Sequence, residues 1–229
     1  MANDQLPKLA ILGGTGDQGS GLALRWALAG YPVTIGSRSA ERASKHVNSL
    51  NEKYKPIKMV GDNNRGAAAS AEMVILTVPF KVQQTTIVEV RDSLDNKILI
   101  DVTVPLVPPR VARAQLPVGG SAVAGIQELL GQSVKVVSAF QNVSAEHLQH
   151  VDEPIDCDVL VCGDDVEARE AVIKLAADGG MRGIHAGPLS NSVVAEALTS
   201  VLIGINKRYK VHGAGISITG LPGPVEDCR

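Results

Sequence analysis

The apolar residues of this chain come in short, nearly unbroken runs, separated by longer stretches where they recur at helical spacing. Runs at 8–12, 33–36, 73–78, 97–102 and 134–140 hold few polar positions, as parallel strands buried on both faces do. Between them, 21–29, 40–52, 64–71, 80–92 and 121–130 predict helices. Residues 57–60 add a short third strand, and Pro79 stops the 73–78 run. Strands alternating with helices imply βαβ units and an α/β fold with a doubly wound parallel sheet of the Rossmann type.

Beyond residue 148 the pattern changes scale. A strand at 158–163 leads through Asp164 and Asp165, as caps, into a helix reaching about residue 177. A short strand at 183–187, a long helix at 190–209 and a possible last strand at 215–219 follow. The segment 104–120, with four prolines, reads as a loop, and 220–229 as a loose tail. We therefore expect two domains, a Rossmann domain at 1–148 and a smaller C-terminal α/β domain at 149–229.

The first strand ends in Gly13-Gly14-Thr15-Gly16-Asp17-Gln18-Gly19, with a helix directly behind it. Strand, tight turn and helix N-terminus in that order make a dinucleotide site. Gly14 is expected to allow the turn, Gly16 to admit a pyrophosphate and Gly19 to let helix and strand pack closely. The helix's free N–H groups and its dipole then face the phosphates. The second strand ends in Ser37-Arg38, with Arg42 one turn into the next helix and no carboxylate at the strand end. A hydroxyl and guanidinium groups suit a 2′-phosphate better than bare ribose hydroxyls, which points to NADP(H) rather than NAD(H). The strand ends 77–80 and 101–105 belong at the carboxyl edge of the sheet, where they would line the nicotinamide half, although their prolines equally serve to end strands.

Composition narrows the function classes. A net charge of −2 excludes a basic nucleic-acid footprint, and 3% aromatic residues leave few stacking platforms for single strands. Residues 1–7 lack the basic start and apolar block of a signal peptide, and no apolar run reaches the roughly 18 residues of a spanning segment. Three cysteines, Cys157, Cys162 and Cys228, form no metal-like spacing. These features suit a cytoplasmic protein with small-molecule partners, no nucleic acid, no membrane and no metal.

The motifs at 13–19, 33–42, 76–80, 137–145, 161–165 and 186–192, in this order and at compatible spacing, resemble the NADP-dependent oxidoreductases of the deazaflavin coenzyme F420. Gly-Gly-Thr-Gly at 13–16, Gly-Ser-Arg at 36–38, Val-Cys-Gly-Asp-Asp at 161–165 and Ala-Gly-Pro-Leu-Ser-Asn-Ser at 186–192 are its most specific pieces. The NADPH-binding domain of membrane ferric reductases shares the outline. The resemblance implies Thr15, Gly16, Asp17 and Gln18 on the pyrophosphate, and Ser37, Arg38 and Arg42 on the 2′-phosphate. It places Val78, Pro79, Phe80 and Gln84 along the path to the nicotinamide, with Ala145 against that ring. Coenzyme F420 would stack in a cleft near Gln141, Asn142, Val143 and Ser144, closed by the C-terminal domain of a possible homodimer.

Gln141 departs from the family, whose members carry histidine there. Glutamine can hydrogen-bond a ring carbonyl but holds no charge near neutral pH. Hydride transfer between two ring systems asks the protein mainly for proximity, so no acid, base or nucleophile is assigned. Reduction of another acceptor (a flavin, ferric or carbonyl substrate) and a non-catalytic NADP sensor stay open as alternatives.

Overall fold

A computed structural model describes residues 5–221. Its strands are β1 (Leu9–Leu12), β2 (Val33–Ser37), β3 (Val60–Asn63), β4 (Met73–Leu76), β5 (Ile98–Asp101), β6 (Lys135–Ser138), β7 (Asp158–Gly163) and β8 (Arg182–His185). They form one sheet in the order β3-β2-β1-β4-β5-β6-β7-β8. All neighbouring pairs are parallel except β6 with β7. Successive side chains of β1 feed opposite faces: Leu9 and Ile11 enter one core, Ala10 and Leu12 the other. Met73 and Ile75 of β4 separate from Val74 and Leu76 in the same way. A strand that supplies two cores has no position to spare for a polar residue, hence the unbroken runs.

The helices are α1 (Asp17–Leu28), α2 (Ala40–Lys53), α3 (Asn64–Ser70), α4 (Gln83–Val90), α5 (Ala122–Leu130), α6 (Ala145–Gln149), α7 (Val166–Asp178) and α8 (Ser192–Tyr209). Side chains of Ser39, Asn63, Ser121 and Asp165 cap α2, α3, α5 and α7 by accepting a first-turn N–H. The N-cap of α1 is Gly16, which has no side chain to offer. Its first-turn N–H groups are left for an outside acceptor.

The strands beyond residue 148 extend this same sheet and share a core with α1. Trp26 donates to the Leu175 carbonyl at 2.8 Å and meets Phe140 edge to face at 5.7 Å. Arg25, buried, fans its guanidinium onto the carbonyls of His147 (2.9 Å), Leu148 (3.1 Å) and His150 (2.8 Å). Gly21 packs against Leu148, where an added Cβ would lie 3.0 Å from its carbonyl carbon. The small-residue face of α1 thereby seats α6.

Several elements differ from the sequence expectation. The third strand lies at Val60–Asn63, not 57–60, because the Asn51 amide takes both the N–H (2.9 Å) and the carbonyl (3.0 Å) of Met59 out of the ladder. No strand forms at 215–219. The segment gives β7 one main-chain bond, Asp158 N–H to the Ile216 carbonyl at 2.8 Å. The helix expected over 80–92 is broken into α4 between two 3-10 turns, Phe80–Val82 and Arg91–Ser93. Of the tail, 222–229, including Cys228, lie outside the described residues. Leu189–Tyr209 has the length and mean hydropathy (1.3) of a spanning helix, but Glu196 and Ser200 within it are buried against protein.

Candidate functional site

The turn after β1 is built from three close approaches. Gly13 adopts a φ of +72°, and a Cβ there would lie 2.6 Å from Val78 Cγ1. The left-handed residue is therefore Gly13 rather than Gly14, where an added Cβ would instead lie only 2.7 Å from the Ile11 carbonyl oxygen. A Cβ on Gly19 would collide with Thr77 Oγ1 and sit 2.8 Å from Gly14 Cα, so helix and strand could not approach. Gly16 is different. A Cβ there would meet nothing nearer than the Gly13 carbonyl at 3.6 Å and would project into open space.

That space is a cavity of about 830 Å³ along the carboxyl edge of the sheet. At one end lie Ser37, Arg38 and Arg42; Thr15, Gly16, Asp17 and Gln18 follow along the N-terminus of α1. Val78, Pro79 and Phe80 form a side wall, and Gln141, Asn142, Val143, Ser144 and Ala145 close the far end. Fifteen of the eighteen residues expected from the sequence thus line one volume. Gly14 and Gly19 do not face it; they pack the turn. Gln84 is exposed on α4 and lies outside the lining, and Thr85, Thr86 and Glu89 of that helix take its place. Val102, Thr103 and Val104, from the strand end expected there, also line it, whereas Asn64 and the α8 residues Thr199, Leu202, Ile203 and Asn206 line it without having been expected from the sequence.

The two ends differ in chemistry. Neither Arg38 nor Arg42 joins an ion pair among the described residues, and the strand end beside them carries the hydroxyl of Ser37 rather than a carboxylate. This end is positive and suited to a phosphate monoester. At the other end Gln141 is buried and held by its amide N–H groups, which donate to the Asp101 carbonyl and Ser138 Oγ, both at 2.8 Å. Asn142 Nδ2 donates to the Asp158 carbonyl at 2.7 Å. Both amides therefore keep their oxygens unpartnered, as is the buried hydroxyl of Thr103. Buried polar atoms without partners are costly, and these three belong to residues at the far end of the cavity, where the resemblance implied that the two rings meet, the ring end. Phe140, at φ +68°, turns the chain into this segment, and its carbonyl accepts from Gln18 Nε2 at 3.1 Å.

Beneath the ring end sit two buried carboxylates. Asp101 accepts from Gln83 Nε2 (2.6 Å) and the Thr103 N–H (2.9 Å). Burial nevertheless pushes its carboxyl up to about 6, with the hydrogen bonds opposing. Glu196 of α8 caps α5, accepting from Ser121 Oγ at 2.6 Å and the Ala122 N–H at 2.7 Å, and burial raises it too. Neither lines the cavity. Cys157 and Cys162 are buried thiols pushed up to about 11 by desolvation, which makes them poor nucleophiles. His185 accepts from Arg169 Nε at 2.8 Å, while His147 packs its ring on Gly213; both are occupied structurally. No three His, Cys, Asp or Glu side chains gather in a metal-holding group among the described residues.

With this geometry in view, the likeness to known proteins is specific. Residues 8–105 match the family model "NADP oxidoreductase coenzyme F420-dependent". The F420-dependent NADP reductase of Methanothermobacter thermautotrophicus is 44% identical over 97% of this chain and 99% of its own. The enzyme of that name from Methanocaldococcus jannaschii is 43% identical over 93% of this chain and 99% of its own. A crystal structure from Arthrobacter sp. FB24, assigned as an F420-dependent NADP reductase, superposes with a TM-score of 0.76 over 93% of this chain and 99% of its own. At 23% identity that match speaks to the fold alone. Identity above two-fifths across nearly the full length of both partners, spanning the glycine turn, the anion end and the ring end alike, makes this chain a member of the F420-dependent NADP reductase family.

Proposed function

We propose that this protein transfers a hydride between NADP(H) and coenzyme F420 within the long cavity. The observation that carries the reading is the continuity of that cavity: a positive end, an uncapped helix N-terminus and a polar ring end share one volume. The ligands themselves supply the redox chemistry, a hydride passing between nicotinamide C4 and deazaflavin C5. Arg38 and Arg42, with Ser37, bind the 2′-phosphate and so select NADP(H). The N–H groups at the start of α1 take the pyrophosphate, with Gly16 leaving room for it. Val78, Pro79 and Phe80 flank the path to the nicotinamide, and Ala145 offers that ring a small contact. Gln141, Asn142, Val143 and Ser144 orient the deazaflavin, while α8 covers the ring end and excludes water. Holding two rings in contact is the protein's main contribution to rate.

We further place the enzyme in the cytoplasm as a homodimer. Val194, Val201, Ile205 and Tyr209 are exposed on α8 at i, i+7, i+11 and i+15, one helix face that a second copy would cover isologously. Mixing purified protein with NADPH and F420 and following both absorbances tests the activity. Equal, coupled loss of the two is expected. Tight NADPH binding without transfer to F420 would refute F420 as the acceptor.

A further inference from the structure

A second cavity of about 500 Å³ opens beside the positive end of the first, and Thr15 and Arg42 line both. Its other wall is a stripe of α2 in which Arg42, Lys45, His46 and Ser49 follow one another at i, i+3, i+4 and i+7. His46 is half-buried, and its Nε2 lies 2.9 Å from Oγ of Ser20, a buried residue of α1. One ring nitrogen is thus held by α1, which leaves Nδ1 for another partner. Besides the Ser20 hydroxyl from α1 on the ring itself, the groups that line this cavity with His46 are the Thr15 hydroxyl from the glycine turn, Ser39, and Glu41, Arg42, Lys45 and Ser49 from α2, of which Arg42 acts on the imidazole by its charge. The lining thus carries two cations and one carboxylate.

We propose that His46 belongs to the NADP-selecting site, accepting a proton as the 2′-phosphate docks at the mouth shared by the two cavities. This rests on the placement of that phosphate at Arg38 and Arg42. In the free protein, burial and the Arg42 charge hold the imidazole below its usual range. A phosphate carrying nearly two negative charges reverses the second of these causes: it screens Arg42 and attracts a proton to the ring. Binding then takes up a proton, and NADPH affinity gains a component that grows as pH falls through the imidazole range. A histidine that only braced Ser20 would be satisfied neutral and would add no such component.

The test is titration of NADPH and NADH into the wild type, His46→Gln and Arg42→Ala at about pH 6 and about pH 8. Glutamine can keep the bond to Ser20 without charge, and retained NADH binding reports that each variant is folded. The ligand phosphate itself titrates near pH 6, so the readout is the difference between proteins. Relative to His46→Gln, the wild type should gain roughly fivefold to tenfold in NADPH affinity at the lower pH, one pKa unit of coupling being tenfold. NADH should show no difference. Calorimetry in two buffers of unlike protonation enthalpy should find more proton uptake with NADPH for the wild type than for the variant. Identical pH profiles and proton uptake would overturn the role of His46, even if Arg42→Ala erases the preference for NADPH. A preference for NADPH that survives Arg38→Ala combined with Arg42→Ala would overturn the phosphate placement, and this proposal with it.

Discussion

Replacing Gly16 with serine should separate what the glycine turn does for the fold from what it does for the cofactor. Gly16 has φ −85° and ψ 165°, extended backbone that any residue adopts, and a Cβ would make only an ordinary contact at 3.6 Å. Serine therefore fits the free protein without strain. It narrows the unfolded ensemble by about 0.4–1 kcal/mol, and its hydroxyl can cap the Gln18 or Gly19 N–H for a few tenths more. The sum, about 1 kcal/mol, should raise Tm by roughly 2–4 °C for a chain of this size. The same side chain fills the space and engages the N–H groups that the pyrophosphate needs. Loss of one hydrogen bond to a charged acceptor, about 1.5–3 kcal/mol, corresponds to about tenfold weaker NADPH binding or more. Thermal melting of the free protein and an NADPH titration measure the two effects, which have opposite signs. A raised Tm with unchanged affinity would remove the pyrophosphate from this turn, and a lowered Tm would show that the backbone argument is wrong.

Arg38→Ala should weaken NADPH by at least about tenfold and leave NADH untouched, since only the former carries a phosphate for the guanidinium; equal losses in parallel titrations would contradict that assignment. Asp101, raised to about 6 from 3.8, binds its proton more tightly folded than unfolded. Its stabilising contribution is therefore full below about pH 4 and fades as pH rises to about 6, a change of about 3 kcal/mol. Melting curves of wild type and Asp101→Asn across that window should converge or cross accordingly, and parallel curves would mean the carboxyl ionises freely. Gln141→His should keep hydride transfer to F420 while adding a pH dependence at or below about pH 6.5, because burial disfavours the imidazolium; stopped-flow rates that stay flat with pH would place residue 141 away from the ring.

Much of this is legible in the sequence. The strands β1, β4, β5 and β6 announced themselves because each supplies two cores, and the glycine turn because its spacing follows from close contacts with Ile11, Thr77 and Val78. Other features depend on geometry that spacing does not carry. The choice between Gln83 and Gln84 is a matter of helix phase. A 3-10 turn at Phe80–Val82 precedes α4 and advances each residue by about 120° rather than 100°, which carries Gln83 inward onto Asp101 and Gln84 out to solvent. The third strand moved because a single side chain, Asn51, competes for the main chain of Met59. The cavity wall supplied by Thr199, Leu202 and Ile203 was hidden for another reason: periodicity shows that α8 has an apolar face but not what that face meets. Its partner is decided by the antiparallel step from β6 to β7, a long-range pairing with no local signature.

The guanidinium of Arg25 answers only to carbonyl oxygens, those of His147 and Leu148 within α6, of His150 and Glu153 just after it, and of Gly179 behind α7. It grips a path rather than a sequence, so the side chains of His147 and His150 can drift over evolution without loosening it. Carbonyls do not titrate, and the grip keeps its strength where carboxylate partners would fade in acid. Ala145 begins the short helix that this grip fixes, and α1 also presents its uncapped end to the cavity. In the proposed complex one helix thus acts as a caliper, with the phosphate at one jaw and the nicotinamide contact set by the other.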